Sequence, residues 1–222
     1  IFDREISFLD KRSDIDGPIK VFVIGNGDDD KEYIESAGCV ASGPEECQFA
    51  LARGMFSFSL INCEEQKFPS AEQLLAKVDP VLSELMSRSV PLLITNPDMA
   101  RPGSGAPMPG VIGSRYEKLG GSVEYVGKPH AKVYGEVCRA LDIDGGDLSV
   151  KKRLIGIGDS LEHDIMGANN FGINSAFIAN GVHCSLLGTS EGSSEKPRTD
   201  KLQMLFNKFG TIPTHSVASF TW

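Results

Sequence analysis

Two aspartates near residue 160 follow a predicted strand at a spacing that suits a metal site. Residues 153–157 (RLIGI) are apolar and run into Gly158-Asp159-Ser160, and Asp164 comes five positions after Asp159. We expect Asp159 at the carboxyl end of this strand and Asp164 at the start of the following helix. Two converging carboxylates are costly unless a cation balances them, and Mg²⁺ takes such oxygen ligands. The same residues also fit a plain turn and a helix cap, so both interpretations stay open.

A lysine between glycine and proline ends another predicted strand. Residues 123–126 lead into Gly127-Lys128-Pro129. A lysine held at a strand end can present its charge to a phosphate or to an aspartate. Taken alone, Lys128 also fits a solvated loop.

Short apolar strands alternate with amphipathic helices, which predicts an α/β fold with a largely parallel sheet. The predicted strands are 19–25, 56–63, 90–95, 123–126, 153–157, 174–179 and a last strand in the tail. The predicted helices are 30–36, a segment capped by Ser70 that Pro80 kinks or divides, one ending near 119, one after His130, one opened by Asp164, and 201–209. Residues 101–113 and 188–200 are expected to be a loop and a polar linker, and Asp28 to Asp30 a solvated turn and helix start.

The composition excludes several classes of protein. A net charge of −8 argues against a nucleic-acid-binding protein, and no apolar run is long enough for a membrane span. The five cysteines lack C-x-x-C spacing, which predicts reduced thiols and a cytoplasmic protein. The four histidines share no spacing typical of metal ligands.

The order of these motifs resembles the haloacid dehalogenase-like (HAD) superfamily. Gly-Lys-Pro, a helix, and then a strand ending in Gly-Asp-x-x-x-x-Asp resemble its motifs III and IV. Thr95-Asn96-Pro97-Asp98 and the loop after it resemble subfamily IIA, whose members carry an α/β cap between motifs II and III. The resemblance implies a Rossmann-like parallel-sheet core with an inserted cap. It also implies a Mg²⁺-dependent phosphatase that hydrolyses a small phosphorylated metabolite, with an aspartyl-phosphate as the intermediate.

The resemblance also assigns roles to individual residues. It makes Lys128, Asp159 and Asp164 the catalytic set, with Asp159 and Asp164 at the metal and Asp164 acting mainly from the outer shell. Lys128 would steady the nucleophile and the phosphoryl group. Asn96 and Asp98, in the cap loop, would join Lys128 in binding the substrate. A homodimer formed through the cap is consistent with this family.

The start of the chain departs from the family pattern. Residues 14–17 (DIDG) are similar to motif I, but they follow Lys11-Arg12-Ser13 and not an apolar strand, so we interpret them as a linker turn. We therefore expect an N-terminally incomplete chain, inactive alone, with its nucleophile upstream of Ile1 and with organellar targeting left open. The predicted divisions are a remnant at 1–17, the cap at 18–120, and the C-terminal part of the core at 121–222, without the motif I strand. The alternative is a catalytically inactive HAD-like protein that binds a ligand or has a regulatory role.

Overall fold

The computed structural model describes residues 17–61, 64–101 and 103–220. Most of residues 14–17, the predicted linker turn, lies outside these ranges. The chain divides into two compact units between Gly127 and Lys128. The assignment of residues 18–120 to a cap and 121–222 to a core stays a prediction. No helix among the described residues is long and apolar enough to cross a membrane.

A mixed sheet is the centre of the first unit. Its strands in the described residues are β1 (Ile19–Gly25), β2 (Cys39–Ala41), β3 (Phe49–Ala52), β4 (Ser57–Ile61), β5 (Glu64–Lys67), β6 (Leu92–Ile94) and β7 (Val123–Tyr125). The order is β5-β4-β1-β3-β6-β7, and β2 also pairs with β1. β1 is parallel to β2 and β3, β6 is parallel to β3 and β7, and only β4 and β5 run antiparallel to their neighbours.

Three helices belong to the first unit: α1 (Asp30–Glu35), α2 (Ala71–Ser87) and α3 (Gly110–Lys118). α2 begins where the Ser70 hydroxyl accepts a hydrogen bond from the Gln73 amide. It buries an apolar stripe of seven residues, and it continues through Pro80 as one helix. The prediction that Pro80 could divide this segment into two helices is therefore wrong. The burial of the stripe outweighs the one backbone hydrogen bond that proline removes.

Both faces of the first sheet are covered by apolar side chains. One face carries Phe22, Ile24, Ala50, Leu92 and Ile94, which pack with the apolar stripe of α2 and with Ile112 and Tyr116 of α3. The other face packs against Ile34 of α1. A central strand buried on both faces is mainly apolar, and β1 (IKVFVIG) follows this pattern except at the exposed Lys20.

The loop after β6 is shorter than predicted. Residues 101–113 were expected to be all loop, but α3 begins at Gly110. Gly110 donates a backbone hydrogen bond to the Asp98 carbonyl over 3.0 Å, and a Cβ there would overlap with the Pro97 carbonyl. The glycine thus permits a close approach that starts the helix early.

The prediction of a solvated turn at Asp28 to Asp30 is wrong for Asp30. This carboxylate is buried and accepts hydrogen bonds from the Gly27 amide (2.6 Å) and the Ser57 hydroxyl (2.9 Å). Arg53, at the end of β3, binds Asp30 over 2.6 Å and Asp29 over 2.8 Å. The guanidinium holds the pKa of Asp29 below its usual range. A buried acid with three partners is a structural element of the fold and not part of a solvated turn.

The second unit has a smaller sheet, all parallel. Its strands in the described residues are β8 (Ile155–Gly158), β9 (Asn174–Ile178) and β10 (His215–Val217), in the order β10-β9-β8. Its helices are α4 (Ala131–Ala140), α5 (Leu148–Lys151), α6 (Met166–Phe171), α7 (Cys184–Leu187) and α8 (Thr199–Phe209), with a π-helical turn at Leu161–Ile165 before α6. The core of this unit consists of Leu161, Ile165, Phe177, Ala179, Leu187 and Leu205. The tail forms the expected last strand, and the predicted α/β class with a largely parallel sheet is confirmed.

Candidate active site at the carboxyl end of β8

Asp159 is the first residue after β8, as the sequence predicts. Its carboxylate is half-buried, and Oδ2 accepts a hydrogen bond of 3.0 Å from the Val182 amide. A Cβ on Gly181 would overlap with the Asp159 side chain, so a glycine is required for this approach. No described residue donates a hydrogen bond to Oδ1 of Asp159. One carboxylate oxygen therefore remains available to a ligand.

Asp164 lies inside the π-helical turn. The prediction that it opens a helix is therefore wrong, since α6 begins at Met166. Ser160 caps the turn, since its hydroxyl accepts from the His163 amide and its carbonyl accepts from the amides of Asp164 (3.0 Å) and Ile165 (3.1 Å). The Asp164 carboxylate folds back, and its Oδ2 accepts from the Ser160 amide over 3.1 Å. This reciprocal arrangement is a capping box widened by one residue. A Cβ on Gly158 would overlap with this carboxylate, so the last residue of β8 must also be small.

Lys128 contacts Asp164 directly. Its ammonium lies 2.6 Å from Oδ1 of Asp164, and the lysine side chain is 55% exposed whereas that of Asp164 is 13% exposed. Asp164 thus has both oxygens engaged, one by Lys128 and one by the Ser160 amide. An ammonium has three donors, and this ion pair uses one of them. Lys128 can therefore hold an anionic group while Asp164 keeps it in place.

Tyr134 of α4 supports the π-helical turn from below. Its hydroxyl donates to the Asp164 carbonyl over 3.3 Å, and its ring stacks on Phe171 with centroids 5.5 Å apart. Burial, and secondarily the charge of Asp164, raises the pKa of Tyr134 to about 12. The phenol is therefore neutral at physiological pH and acts as a hydrogen-bond donor.

The donor set fits a divalent cation only in part. Asp159 offers one free carboxylate oxygen, the ligand type that Mg²⁺ prefers. Asp164 suits an outer position, because both of its oxygens already have partners. No group of three His, Cys, Asp or Glu side chains that could hold a metal occurs in the described part of the chain. Among the described residues, Asp159 thus offers one metal ligand and Asp164 a position in the outer shell. The assignment of both residues to a metal site stays a prediction.

The other two predicted site residues, Asn96 and Asp98, lie in the first unit. They follow β6, and the Asn96 side-chain oxygen accepts from the Asp98 amide over 3.2 Å. Asn96 also lines a pocket of about 380 Å³ at the carboxyl ends of β1, β3 and β6, beside Asn26 and Arg53. Asp98 does not line this pocket. The structure thus brings Lys128 and Asp164 into contact with each other, and Asp159 lies five residues before Asp164 in the chain. The substrate-binding assignment of Asn96 and Asp98 stays a prediction.

Sequence reasoning missed three residues that support the site: Ser160, Val182 and His183. Ser160 caps the π-helical turn, Val182 binds Asp159 through its backbone, and His183 accepts a hydrogen bond of 3.2 Å from the Leu161 amide. A serine directly before a helix is a capping signal that could have identified Ser160. Val182 and His183 carry no such signal, because they act across more than 20 residues of sequence.

Comparison with known proteins supports the resemblance that the motifs indicated. The HAD-hydrolase-like family model matches residues 125–201, about a third of the chain. Comparison with curated proteins gave no significant match. Together with the solved structures described next, the family match confirms the predicted resemblance to the HAD superfamily, and subfamily IIA stays a prediction.

Solved structures of similar fold cover most of the chain. A p-nitrophenyl phosphatase from Archaeoglobus fulgidus has a TM-score of 0.63 and 22% identity over 91% of this chain. A haloacid dehalogenase-like hydrolase from Brucella suis 1330 has a TM-score of 0.57 and 25% identity over 92%, and NagD from E. coli K-12 has 0.59 and 15% over 96%. This chain spans 65%, 67% and 66% of the lengths of these three proteins. Their fold and that of this chain are the same.

Proposed function

We propose that this chain forms part of a Mg²⁺-dependent phosphohydrolase of the HAD type that acts on a small phosphorylated metabolite. The observation that carries the proposal is the contact of 2.6 Å between Lys128 and Asp164 at the end of β8, beside Asp159. A cation and a free carboxylate oxygen at one strand end are the two complements of a phosphoryl group and its metal. Two of the similar structures are a p-nitrophenyl phosphatase and a haloacid dehalogenase-like hydrolase.

The residues of the chain would divide the work as follows. Lys128 would donate hydrogen bonds to the phosphoryl oxygens and offset the negative charge that develops during transfer. Asp164 would keep the ammonium at its place, and Ser160 would keep Asp164 turned back onto β8. Asp159 would supply one oxygen ligand to Mg²⁺, which when bound polarises the phosphoryl group.

The nucleophile of the proposed reaction would be an aspartate outside the described residues. It would attack phosphorus and release the alcohol, and water would then cleave the aspartyl-phosphate to give inorganic phosphate. Asp164 is a poor alternative, because both of its oxygens accept hydrogen bonds. Substrate binding by Asn96 and Asp98 stays part of the proposal and rests on the resemblance alone.

The test is hydrolysis of p-nitrophenyl phosphate by the full-length protein with and without Mg²⁺. Asp159→Asn should lower kcat by about 10²–10³-fold, because it removes a charged oxygen ligand without changing the shape of the side chain. Asp200→Asn is a matched control, since Asp200 is exposed and pairs with Arg198. Equal turnover by wild type and Asp159→Asn would overturn the proposal. No turnover of any phosphomonoester by wild type would favour the inactive relative that binds a ligand.

A further inference from the structure

A buried histidine lies beneath the first turn of the candidate site. His183 is 7% exposed, and its Nε2 accepts the hydrogen bond of 3.2 Å from the Leu161 amide. Leu161 is the first residue of the π-helical turn, so its N–H has no partner within that turn. Leu161 is also fully buried, which excludes water as a partner. His183 is therefore the partner of a buried donor that has no other partner among the described residues.

Aromatic neighbours fix the position of this imidazole. Its ring centroid lies 4.9 Å from that of Phe209 and 6.0 Å from that of Phe177. Burial lowers the pKa of His183, so the ring is neutral at physiological pH. A neutral imidazole that accepts at Nε2 must carry its proton on Nδ1. The contact to Leu161 thus selects one tautomer.

The segment that carries His183 also holds Asp159. The Val182 amide binds Oδ2 of Asp159, and the next residue, His183, binds the Leu161 amide. These two contacts lie on either side of Ser160, whose amide and hydroxyl shape the turn around Asp164. Val182 and His183, which are adjacent in the chain, therefore hold the two ends of the segment from Asp159 to Leu161. We call these two contacts the clamp.

We propose that His183 is a positioning residue for the Lys128, Asp159 and Asp164 site. It acts through the Leu161 amide, which it holds so that the π-helical turn begins directly after Asp159. Its effect on turnover rests on the proposed phosphohydrolase function, but its effect on the turn does not. An imidazole that only filled space between Phe177 and Phe209 would not need an acceptor at Nε2.

Three variants of the full-length protein separate positioning from packing. His183→Leu removes the acceptor, His183→Gln keeps an acceptor at a similar reach, and Phe209→Leu loosens the same aromatic contacts without touching the hydrogen bond. Amide hydrogen exchange at Leu161, followed by NMR, is the direct readout. We expect exchange at Leu161 to be at least about tenfold faster in His183→Leu and close to wild type in the other two variants.

Kinetics give the second readout. With p-nitrophenyl phosphate and Mg²⁺, kcat should fall by about 10–100-fold in His183→Leu, recover at least in part in His183→Gln, and stay within about twofold in Phe209→Leu. KM should change less than kcat, because the clamp orients groups and does not touch the substrate. A loss in Phe209→Leu as large as that in His183→Leu would assign His183 a packing role and overturn the proposal.

If His183→Leu does not fold, the wild-type protein alone still tests whether His183 accepts the hydrogen bond from Leu161. The ¹⁵N chemical shifts of the imidazole should show an unprotonated Nε2 and a protonated Nδ1 at neutral pH. A proton on Nε2 would overturn the proposal, because that nitrogen could not accept from Leu161. A wild-type protein without turnover would refute the proposed function, whereas the imidazole shifts and the exchange at Leu161 would still test the clamp.

Discussion

Each unit has a strand that ends in a glycine beside an aspartate and a cation. The two arrangements differ in how far the cation is exposed. β1 ends in Gly25 and β8 ends in Gly158, and against each glycine lies an aspartate carboxylate that accepts from a backbone amide nearby. In the first unit this acid is Asp30, and in the second it is Asp164. A cation from another part of the same unit completes each pair.

The cations show the difference. Arg53 is only 14% exposed and binds two acids, Asp29 and Asp30, so its charge is balanced by these two carboxylates. Lys128 is 55% exposed and binds one acid. The residue after the strand differs as well, since the first unit has the neutral Asn26 where the second has Asp159. The same local geometry thus stabilises a loop in one unit and presents a cation and an open carboxylate in the other.

Removing the exposed cation should affect chemistry more than stability. Lys128→Met should lower kcat for p-nitrophenyl phosphate by about 10²–10³-fold, because it removes the charge that we propose to meet the phosphoryl group. The free energy of unfolding should fall by about 1–2 kcal/mol, because the lysine is more than half exposed but the Asp164 carboxylate that it leaves is only 13% exposed. Stopped assays of released p-nitrophenol and urea denaturation measure the two quantities. Lys152→Met, which replaces an exposed lysine of the same unit, should change neither; a large stability loss in Lys128→Met would erase the contrast between the two clusters.

Removing the buried cation should reverse this order. Arg53→Met leaves the carboxylate of Asp30 buried without its counter-charge, so the free energy of unfolding should fall by about 2–3 kcal/mol. Urea denaturation gives this value, and Arg198→Met is the control. Arg198 and Asp200 form an exposed pair whose loss should cost about 0–1 kcal/mol. Equal losses in the two variants would show that Arg53 is no more structural than a surface residue.

The smallest effect concerns the pH dependence of the second unit. Burial lowers the pKa of His183 below the ordinary 6.5, although the charges of Glu162 and Asp159 oppose this shift, while those of Lys208 and His163 add to it. The unfolded chain then binds more protons below about pH 6.5. The stabilisation from the neutral ring is full above that pH and is lost as the pH falls towards the folded pKa, with a slope of at most about 1.4 kcal/mol per pH unit. Thermal unfolding between pH 7.5 and 5 should show this slope in wild type and a flatter profile in His183→Leu; identical profiles would contradict it.

Several elements were predictable because their signals are local. β1 is a mainly apolar run rich in β-branched residues, and α2 shows a serine cap followed by helical spacing. β2, β3 and β5 were not predicted. β3 has only four residues, and β5 (EEQK) is charged and exposed, so only pairing with β4 makes it a strand. Short strands depend on distant partners, which a local pattern does not contain.

The sequence by itself determined the alternation of strands and helices and the placement of Lys128 and Asp159 at strand ends, because periodicity and turn residues act over a few positions. Only the tertiary structure decided which charges meet. Arg53 pairs with Asp30 across 23 residues and Lys128 with Asp164 across 36. These contacts depend on where each chain segment packs, and on Gly25 and Gly158, whose missing side chains leave room for the carboxylates. The clamp by His183 is of the same kind, since the histidine acquires its role only where the fold brings it to the buried amide of Leu161.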